Sequence, residues 1–246
     1  MPISFAEPGE HSLWARLDAP AARLALLAVV ALVLRWSTFG DPDLAADETF
    51  YHTVGLAMHH GALPYVDVWD RKPLGLFILY WAITGISPAP LAYQIAACVS
   101  ATLTAFTIGA IVRGWSGPQG SVLAGVAYLA WLTPLFGFGG QSPVFYNLLI
   151  ACAALLVLRA KPALASGRRS GRAGLAMLLA GAAITIKSSA VFEGAWLGLV
   201  CVAAARQSNR PMIWIVARAA NWALLGAAPS LVIALYYAVI GHWPEF

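Results

Sequence analysis

The stretch DETFYHTVGLAMHHGALPYVDVWDRKP, residues 47–73, decides how this chain is interpreted. It is the one long polar interval in an otherwise strongly apolar sequence, and it carries four of the eleven acidic residues. Arg71 and Lys72 follow directly after the last of these acids. When a membrane protein gathers carboxylates and a lysine in one loop after its first apolar segment, that pattern indicates chemistry at the membrane surface.

The composition excludes an ordinary soluble domain. Hydrophobic residues make up 60% of the chain and charged residues 11%, with a mean hydropathy of +0.74, whereas soluble domains carry about 25% charged residues. The net charge of +4 does not indicate nucleic-acid binding, because the cations lie in gaps between apolar runs and form no basic stripe among aromatics. We therefore predict a polytopic, all-α membrane protein.

Seven apolar runs are long enough, or nearly so, to cross a bilayer, which takes roughly 20 residues. They are residues 21–39, 91–112, 121–138, 144–158, 174–189, 191–205 and 212–240. Runs 144–158 and 191–205 are short, so we expect their helices to extend into flanking residues. We interpret residues 1–246 as a single transmembrane module with an outer loop at 40–72. The run 21–34 also fits the apolar region of a signal peptide, but Arg35 and six further runs follow it, which favours an uncleaved helix.

Basic residues define the topology. They lie in three places along the chain: first Arg113, then Arg159, Lys161, Arg168, Arg169 and Arg172, and then Arg206, Arg210 and Arg218 before and at the start of the last run. If all face the cytoplasm, as the positive-inside rule prefers, the chain crosses the membrane an odd number of times between Lys72 and Arg113. Residues 73–87 are then an embedded or juxtamembrane helix. Residues 40–72, 139–143 and 241 onward share the outer side of the inner (cytoplasmic) membrane.

The acidic pair Asp47 and Glu48 has two interpretations. Residues 49–60 predict a helix, with an apolar stripe at i, i+3 and i+7. Asp47 would cap that helix, and the helix dipole would stabilise the Glu48 carboxylate in the first turn. Alternatively, the carboxylates act as a general base or as metal ligands, because the low dielectric of the membrane surface raises a carboxyl pKa. His52 and His59 lie about 10.5 Å apart on such a helix, which is too far for both rings to bind one metal ion at about 2.0–2.1 Å. We therefore expect solvated histidines there.

Three further charged residues stand out near the apolar runs. Pro73 prevents Lys72 from being helical and places its ammonium at the mouth of the embedded helix, where it suits a lipid-linked phosphate; a snorkelling lysine is the alternative. Lys187 and Glu193 lie near the outer ends of adjacent spans, where ionisable residues usually serve function. They could instead pair with each other across the turn. Cys98, Cys152 and Cys201 lie within apolar runs and are expected to be buried thiols.

The ordered set of polar residues resembles the GT-C membrane glycosyltransferases, in particular the protein O-mannosyltransferases and the aminoarabinose transferase of lipid A. The matching positions follow one another over about 27 residues, with a later one in the span that ends in lysine. They are Asp47-Glu48, Tyr51, Ala57, then Gly61, Pro64 and Tyr65, then Trp69, Asp70, Lys72, Pro73 and Leu74, and finally Gly181 and Lys187. The chain departs from many relatives at Phe50, where they have arginine, and at Leu74, where they have a second proline.

The resemblance implies transfer of a sugar from a polyprenyl-phosphate monosaccharide to a lipid, glycan or protein acceptor on the outer face. By carry-over, Asp47 and Glu48 are the catalytic candidates, and Lys72 and Lys187 the donor-phosphate ligands. The further site candidates are Tyr51, Tyr65, Asp67, Asp70, Arg71 and Glu193. No cofactor is implied with certainty, and a requirement for a divalent metal is left open.

Relatives are about twice as long as this chain, so the resemblance leads us to expect an N-terminal module whose missing C-terminal part a partner chain would supply. A transporter or flippase for a lipid-linked substrate is the main rival function. Transporters gather charge at the bilayer midplane, whereas the charges here collect at one face. An inactive glycosyltransferase module is the third alternative.

Overall fold

A computed structural model describes residue 17, residues 19–41 and residues 46–246. The described helices are α1 (Pro20–Arg35) with a 3-10 turn at Trp36–Thr38, α2 (Ala46–His59), α3 (Leu74–Ile86), α4 (Pro90–Leu132), α5 (Ser142–Ala165), α6 (Gly171–Ile186), α7 (Ala190–Ala205) and α8 (Met212–Val239). This part of the chain contains no strand, only an isolated bridge between Pro64 and Val68. The all-α prediction is therefore confirmed for the described residues.

Four of the described helices are long and apolar enough to cross a membrane: Pro20–Thr38, α4, α5 and α8. α3, α6 and α7 are shorter apolar helices. The chain is thus a multi-pass membrane protein. α5 extends on both sides of the predicted run 144–158, as expected, whereas α7 gains only Ala190 over the run 191–205.

α4 is a helical hairpin. It turns at Gly117, whose φ of 65° and ψ of −166° are not helical, and Pro118 follows. A Cβ atom placed on Gly109 would lie 2.6 Å from Ser121 O, and one on Gly125 would lie 2.9 Å from Ala105 O. Residues 12 apart in a straight helix are about 18 Å apart, so residues 90–116 and 118–132 run back along each other. They correspond to the predicted runs 91–112 and 121–138, although the second arm ends at Leu132.

Several helix ends meet at one end of the bundle, which we call the loop end. Arg35, the last residue of α1, binds the turn before α5. Ser100, in the first arm of α4, donates to Val144 O near the start of α5 at 2.8 Å. α6 returns beside α5, so Lys187, just after α6, shares a cavity with Pro143 of α5.

α3 begins and ends at the loop end. At its start, Gly75 lies against the last turn of α6: a Cβ on Gly75 would lie 2.6 Å from Thr185 O. Just beyond its end, Pro88 O contacts His52 Nε2 of α2 at 2.9 Å. α2 crosses α3 closely, since a Cβ on Gly55 would lie 2.9 Å from the Tyr80 carbonyl carbon. α2 and α3 therefore form a layer across this end.

The core has two parts. The cluster under the loop end contains aromatic residues of α2, α3 and α4, including Tyr51, Phe77, Tyr80 and Tyr93. The second cluster joins α5–α8 through small residues, with Gly181 of α6 touching the Gly226 carbonyl of α8. Such residues let membrane helices approach closely. Cys98 and Cys201 are buried and Cys152 is half-buried.

Candidate active site at the loop end

Asp47 and Lys72 form an ion pair at the loop end, although 25 residues separate them. Lys72 Nζ lies 3.1 Å from Asp47 Oδ2, and 53% of the Asp47 side chain is exposed. Tyr51 Oη donates to the same carboxylate oxygen at 3.1 Å, and Lys72 Nζ lies 5.3 Å from the centroid of the Tyr51 ring. Three of the predicted site residues are therefore in direct contact, with the carboxylate accessible.

The surroundings keep Asp47 ionised. Partial burial acts to raise the pKa of Asp47, but the hydrogen bond and positive charge of Lys72, the Tyr51 hydroxyl and the Arg71 charge together hold this pKa below its ordinary value. The position of Asp47 differs from the sequence prediction. α2 begins at Ala46, so Asp47 lies inside the first turn and is not the helix cap. Its recorded side-chain bonds go to Tyr51 and Lys72.

Two neighbouring side chains hold the backbone of Lys72. Its N–H donates to Asp70 Oδ1 at 2.8 Å, and Tyr65 Oη donates to its carbonyl oxygen at 2.7 Å. Pro73, at φ −65° and ψ 148°, then caps α3. The proline keeps Lys72 out of the helix, as predicted. Asp70 and Tyr65 therefore fix the backbone from which the ammonium extends.

The other loop candidates are divided between the loop's internal bonds and its surface. Asp67 Oδ2 accepts the Leu63 N–H at 2.7 Å, and the Tyr65 N–H donates to Val68 O at 2.7 Å. Burial, then the neighbouring Tyr237 and Asp70, raises the pKa of Tyr65 well above its ordinary value. Arg71 is exposed. Asp67 thus closes the loop, and Arg71 is free to meet solvent.

Glu48 points the other way from Asp47 and is completely buried. Its Oε2 accepts the N–H of Gly140. Arg35, also buried, donates to Gly139 O at 2.5 Å and to Gly137 O at 2.9 Å. Burial raises the pKa of Glu48 to about 7, although the Gly140 N–H and the Arg35 charge act to lower it. Glu48 therefore has no solvent access, unlike Asp47, and the expectation that it is catalytic stays a prediction.

One peptide group therefore links the two buried charges. Gly139 O and Gly140 N belong to the peptide that joins these glycines, which we call the 139–140 peptide. Its carbonyl faces the Arg35 guanidinium and its N–H faces the Glu48 carboxylate. Tyr80 Oη donates to the next carbonyl, Gly140 O, at 2.7 Å. A Cβ on Gly139 would touch the Glu48 carboxylate, and one on Gly140 would touch Tyr80 Oη.

Lys187 and Glu193 are not paired, since no ion pair within 4.0 Å joins them. Lys187 Nζ lies 5.7 Å from the Tyr146 ring centroid and borders a cavity of about 440 Å³. That cavity is lined by Ala127, Tyr128, Trp131, Leu132, Leu135, Pro143, Tyr146, Asn147 and Lys187. Neither Asp47 nor Lys72 lines it, so Lys187 is not part of the Asp47–Lys72 pair. Glu193 is half-buried.

The sequence predicted that the histidines of α2 are solvated, and the structure contradicts this for His52. His52 is buried and its ring lies 5.4 Å from that of Tyr93. His59 stacks on Trp81 at 5.6 Å and its Nε2 contacts Trp81 O at 3.0 Å. Among the described residues, no three His, Cys, Asp or Glu side chains are grouped closely enough to hold a metal ion.

No family model, curated protein or solved structure matches this chain. Its chemistry is therefore inferred from the site and from the resemblance of its polar residues to the GT-C pattern. Sequence reasoning missed Arg35, the 139–140 peptide and Tyr80. Two signals were visible: Arg35 is an arginine within the apolar run 21–39, and Gly139-Gly140 lies directly after the run 121–138. Nothing in the sequence, however, indicated that these residues meet Glu48.

Proposed function

We propose that this protein is a glycosyltransferase that moves a sugar from a polyprenyl-phosphate monosaccharide to an acceptor hydroxyl at the membrane surface. The observation that carries the proposal is the accessible Asp47–Lys72 pair, 3.1 Å apart. It offers a base for a hydroxyl proton and a cation for a phosphate within one substrate's reach. The resemblance to GT-C enzymes adds the identity of the reaction.

The proposed reaction is a single inverting displacement. The acceptor oxygen forms a bond to the anomeric carbon while the bond from that carbon to the phosphate oxygen breaks. Asp47 takes the acceptor proton, and the polyprenyl phosphate leaves with its new negative charge beside Lys72. A sugar on a lipid phosphate is already activated, so positioning and charge stabilisation supply the remaining catalysis.

The ion pair implies that the donor binds before Asp47 acts as a base. In the free protein Lys72 is the main charge that lowers the Asp47 pKa, which makes Asp47 a weak base. A donor phosphate that takes the ammonium removes this effect, so the pKa of Asp47 rises when the donor is bound. Asp47 then becomes a stronger base at the moment when the acceptor must be deprotonated.

The proposed topology has seven crossings, with the loop end outside the inner membrane. The two arms of α4 count as separate crossings, and α3 stays on the outer side because both of its ends lie at the loop end. Impermeant thiol labelling of Ala62→Cys and Ala89→Cys in intact cells tests this, with Ser166→Cys as the inner control. Labelling of position 89 only after the membrane is opened contradicts the arrangement.

The decisive experiment is to reconstitute the protein in lipid nanodiscs and supply a panel of radiolabelled polyprenyl-phosphate sugars with lipid, glycan and peptide acceptors. We expect transfer from one donor class. Lys72→Ala should raise the donor KM more than Lys72→Arg, because a phosphate requires the charge. Equal, slight effects of the two variants point to a snorkelling lysine. Movement of intact donor across the bilayer without cleavage supports the transporter instead.

A further inference from the structure

The first turn of α2 places two neighbouring carboxylates in opposite environments. Asp47 is exposed and contacts Lys72, whereas Glu48 is fully buried against the 139–140 peptide. Successive residues on a helix point about 100° apart. Fixing Glu48 inward therefore fixes the rotation of this turn, and with it the direction in which Asp47 points.

We propose that Arg35 and Glu48 are positioning residues, which hold the 139–140 peptide between their charges and thereby keep Asp47 aimed at Lys72. This inference rests on the proposed glycosyl transfer. It assigns Glu48 a role through Asp47 and removes it from the catalytic residues that touch substrate.

The geometry ties three segments to one peptide group. Arg35 lies at the end of α1 and Glu48 lies at the start of α2. The two glycines belong to the turn that precedes α5. Both glycines are required by contact: Gly139 adopts a φ of +50° and faces the Glu48 carboxylate, and Gly140 faces Tyr80 and Tyr93. The turn can therefore reach both charges only because it lacks side chains here.

The charges are matched to the peptide dipole. The Arg35 cation lies at the carbonyl end. The Glu48 carboxyl group lies at the N–H end and is an anion above its pKa of about 7. The hydrogen bond from Arg35 is therefore charge-assisted at every pH, and the one from the Gly140 N–H is charge-assisted above this pKa. Arg35 and Glu48 do not form a direct ion pair within 4.0 Å. Removing either charge leaves the other buried beside a peptide that it holds at one end only, which frees the first turn of α2 to shift.

The test compares Glu48→Ala and Glu48→Gln with wild type in the reconstituted protein. We expect Glu48→Ala to lower kcat by about 10- to 100-fold, the cost of misplacing a reacting group by up to 1 Å. The donor KM should not rise, because Lys72 keeps its charge and is released from Asp47. Glu48→Gln keeps an oxygen for the Gly140 N–H, so its kcat should lie between those of Glu48→Ala and wild type. If the glutamine variant is as inactive as Asp47→Asn, Glu48 acts directly in the chemistry and the proposal is wrong.

A matched control separates positioning from general loss of stability. Gln94 is also fully buried at the loop end, where it binds Gly40 N and Asp41 O at 2.8 Å each, but it does not bind the 139–140 peptide. Gln94→Ala should lower the unfolding temperature while kcat remains close to wild type. Equal kcat losses in Gln94→Ala and Glu48→Ala would show that the effect of Glu48 is merely structural.

A second measurement does not depend on activity. The sequence has three lysines, Lys72, Lys161 and Lys187, so amine labelling followed by mass spectrometry resolves each one. Glu48→Ala should release Lys72 from Asp47 and label it about 1.4- to 5-fold faster, the factor that an exposed ion pair is worth, with exposed Lys161 unchanged. Unchanged labelling of Lys72 overturns the positioning role. Faster labelling in a protein that transfers no sugar from any donor upholds it and rejects the proposed function alone.

Discussion

Tyr237, near the end of α8, donates a buried hydrogen bond from its Oη to Pro64 O at 2.8 Å, across 173 residues of sequence. Its ring also lies 5.6 Å from that of Tyr65, the residue whose hydroxyl binds the Lys72 carbonyl. The last described helix therefore supports the loop that carries the ammonium. Tyr237 therefore links the packing of α8 to the geometry of the Asp47–Lys72 pair.

Tyr237→Phe should loosen that loop without changing the packing of the ring. The variant leaves the buried Pro64 carbonyl without its donor, which typically costs about 1–3 kcal/mol. We expect a lower free energy of unfolding and faster hydrogen exchange in residues 63–72. Tyr236→Phe is the matched control, because Tyr236 is adjacent and 48% exposed. Equal effects of the two variants would show that the hydrogen bond to Pro64 O does not support the loop.

Asp47→Asn should abolish sugar transfer while the protein stays folded. The asparagine retains a side-chain oxygen to accept the bond from Tyr51, but it lacks the charge and the base. Loss of one acid–base group costs about 10²–10⁴ in rate, and the measurement is kcat in nanodiscs beside a thermal unfolding scan. Near-normal turnover by a well-folded Asp47→Asn protein would return this residue to a role in loop structure.

Part of this architecture could be predicted from the sequence because it depends on local patterns. The apolar runs predicted the helices, and Lys72-Pro73 predicted that the lysine precedes α3. The two arms of α4 were anticipated as separate helices because Arg113 follows the run 91–112 and precedes the run 121–138. In each case the signal lies within a few residues of the feature that it specifies.

The candidate site could be predicted only in part, because contacts between distant segments leave no local signal. Asp47 and Lys72 were predicted to share one site, and the structure places them in contact. The opposite environments of Asp47 and Glu48 were not predictable, since they depend on Arg35 and on a turn more than 90 residues away. For the same reason Lys187 was grouped with Lys72, although it borders a different cavity.

Gly139→Ala should destabilise the protein, because the new methyl group would contact the Glu48 carboxylate and because φ at this residue is +50°. Overlap of this kind in a packed site typically costs about 1–3 kcal/mol. Gly114→Ala is the control: a Cβ at Gly114 meets nothing within 4 Å, and alanine is about 1 kcal/mol better than glycine in a helix. Unfolding in detergent should rank Gly114→Ala at or above wild type and Gly139→Ala below it. The reverse ranking would contradict the close approach of Gly139 to Glu48.

The stability of the protein should fall between about pH 4.5 and just above pH 7 because of Glu48. Its pKa is about 7 in the folded protein, against an ordinary value of 4.5. Between these values the folded state binds more protons at Glu48 than the unfolded state does. This contribution is therefore fully present below pH 4.5 and is lost as the pH rises through 7.

Unfolding temperatures of wild type and Glu48→Gln, measured from pH 4.5 to pH 8, isolate this contribution. The glutamine does not titrate, so wild type should lose stability relative to the variant as the pH rises, by about 1.4 kcal/mol for each pKa unit of the shift. Asp47→Asn is the control. Asp47 has a lowered pKa, so its contribution is lost only below its ordinary value of 3.8, and this variant should follow the wild-type profile. A wild type that instead gains stability over Glu48→Gln with rising pH would show that the Arg35 charge and the Gly140 N–H outweigh the burial of Glu48.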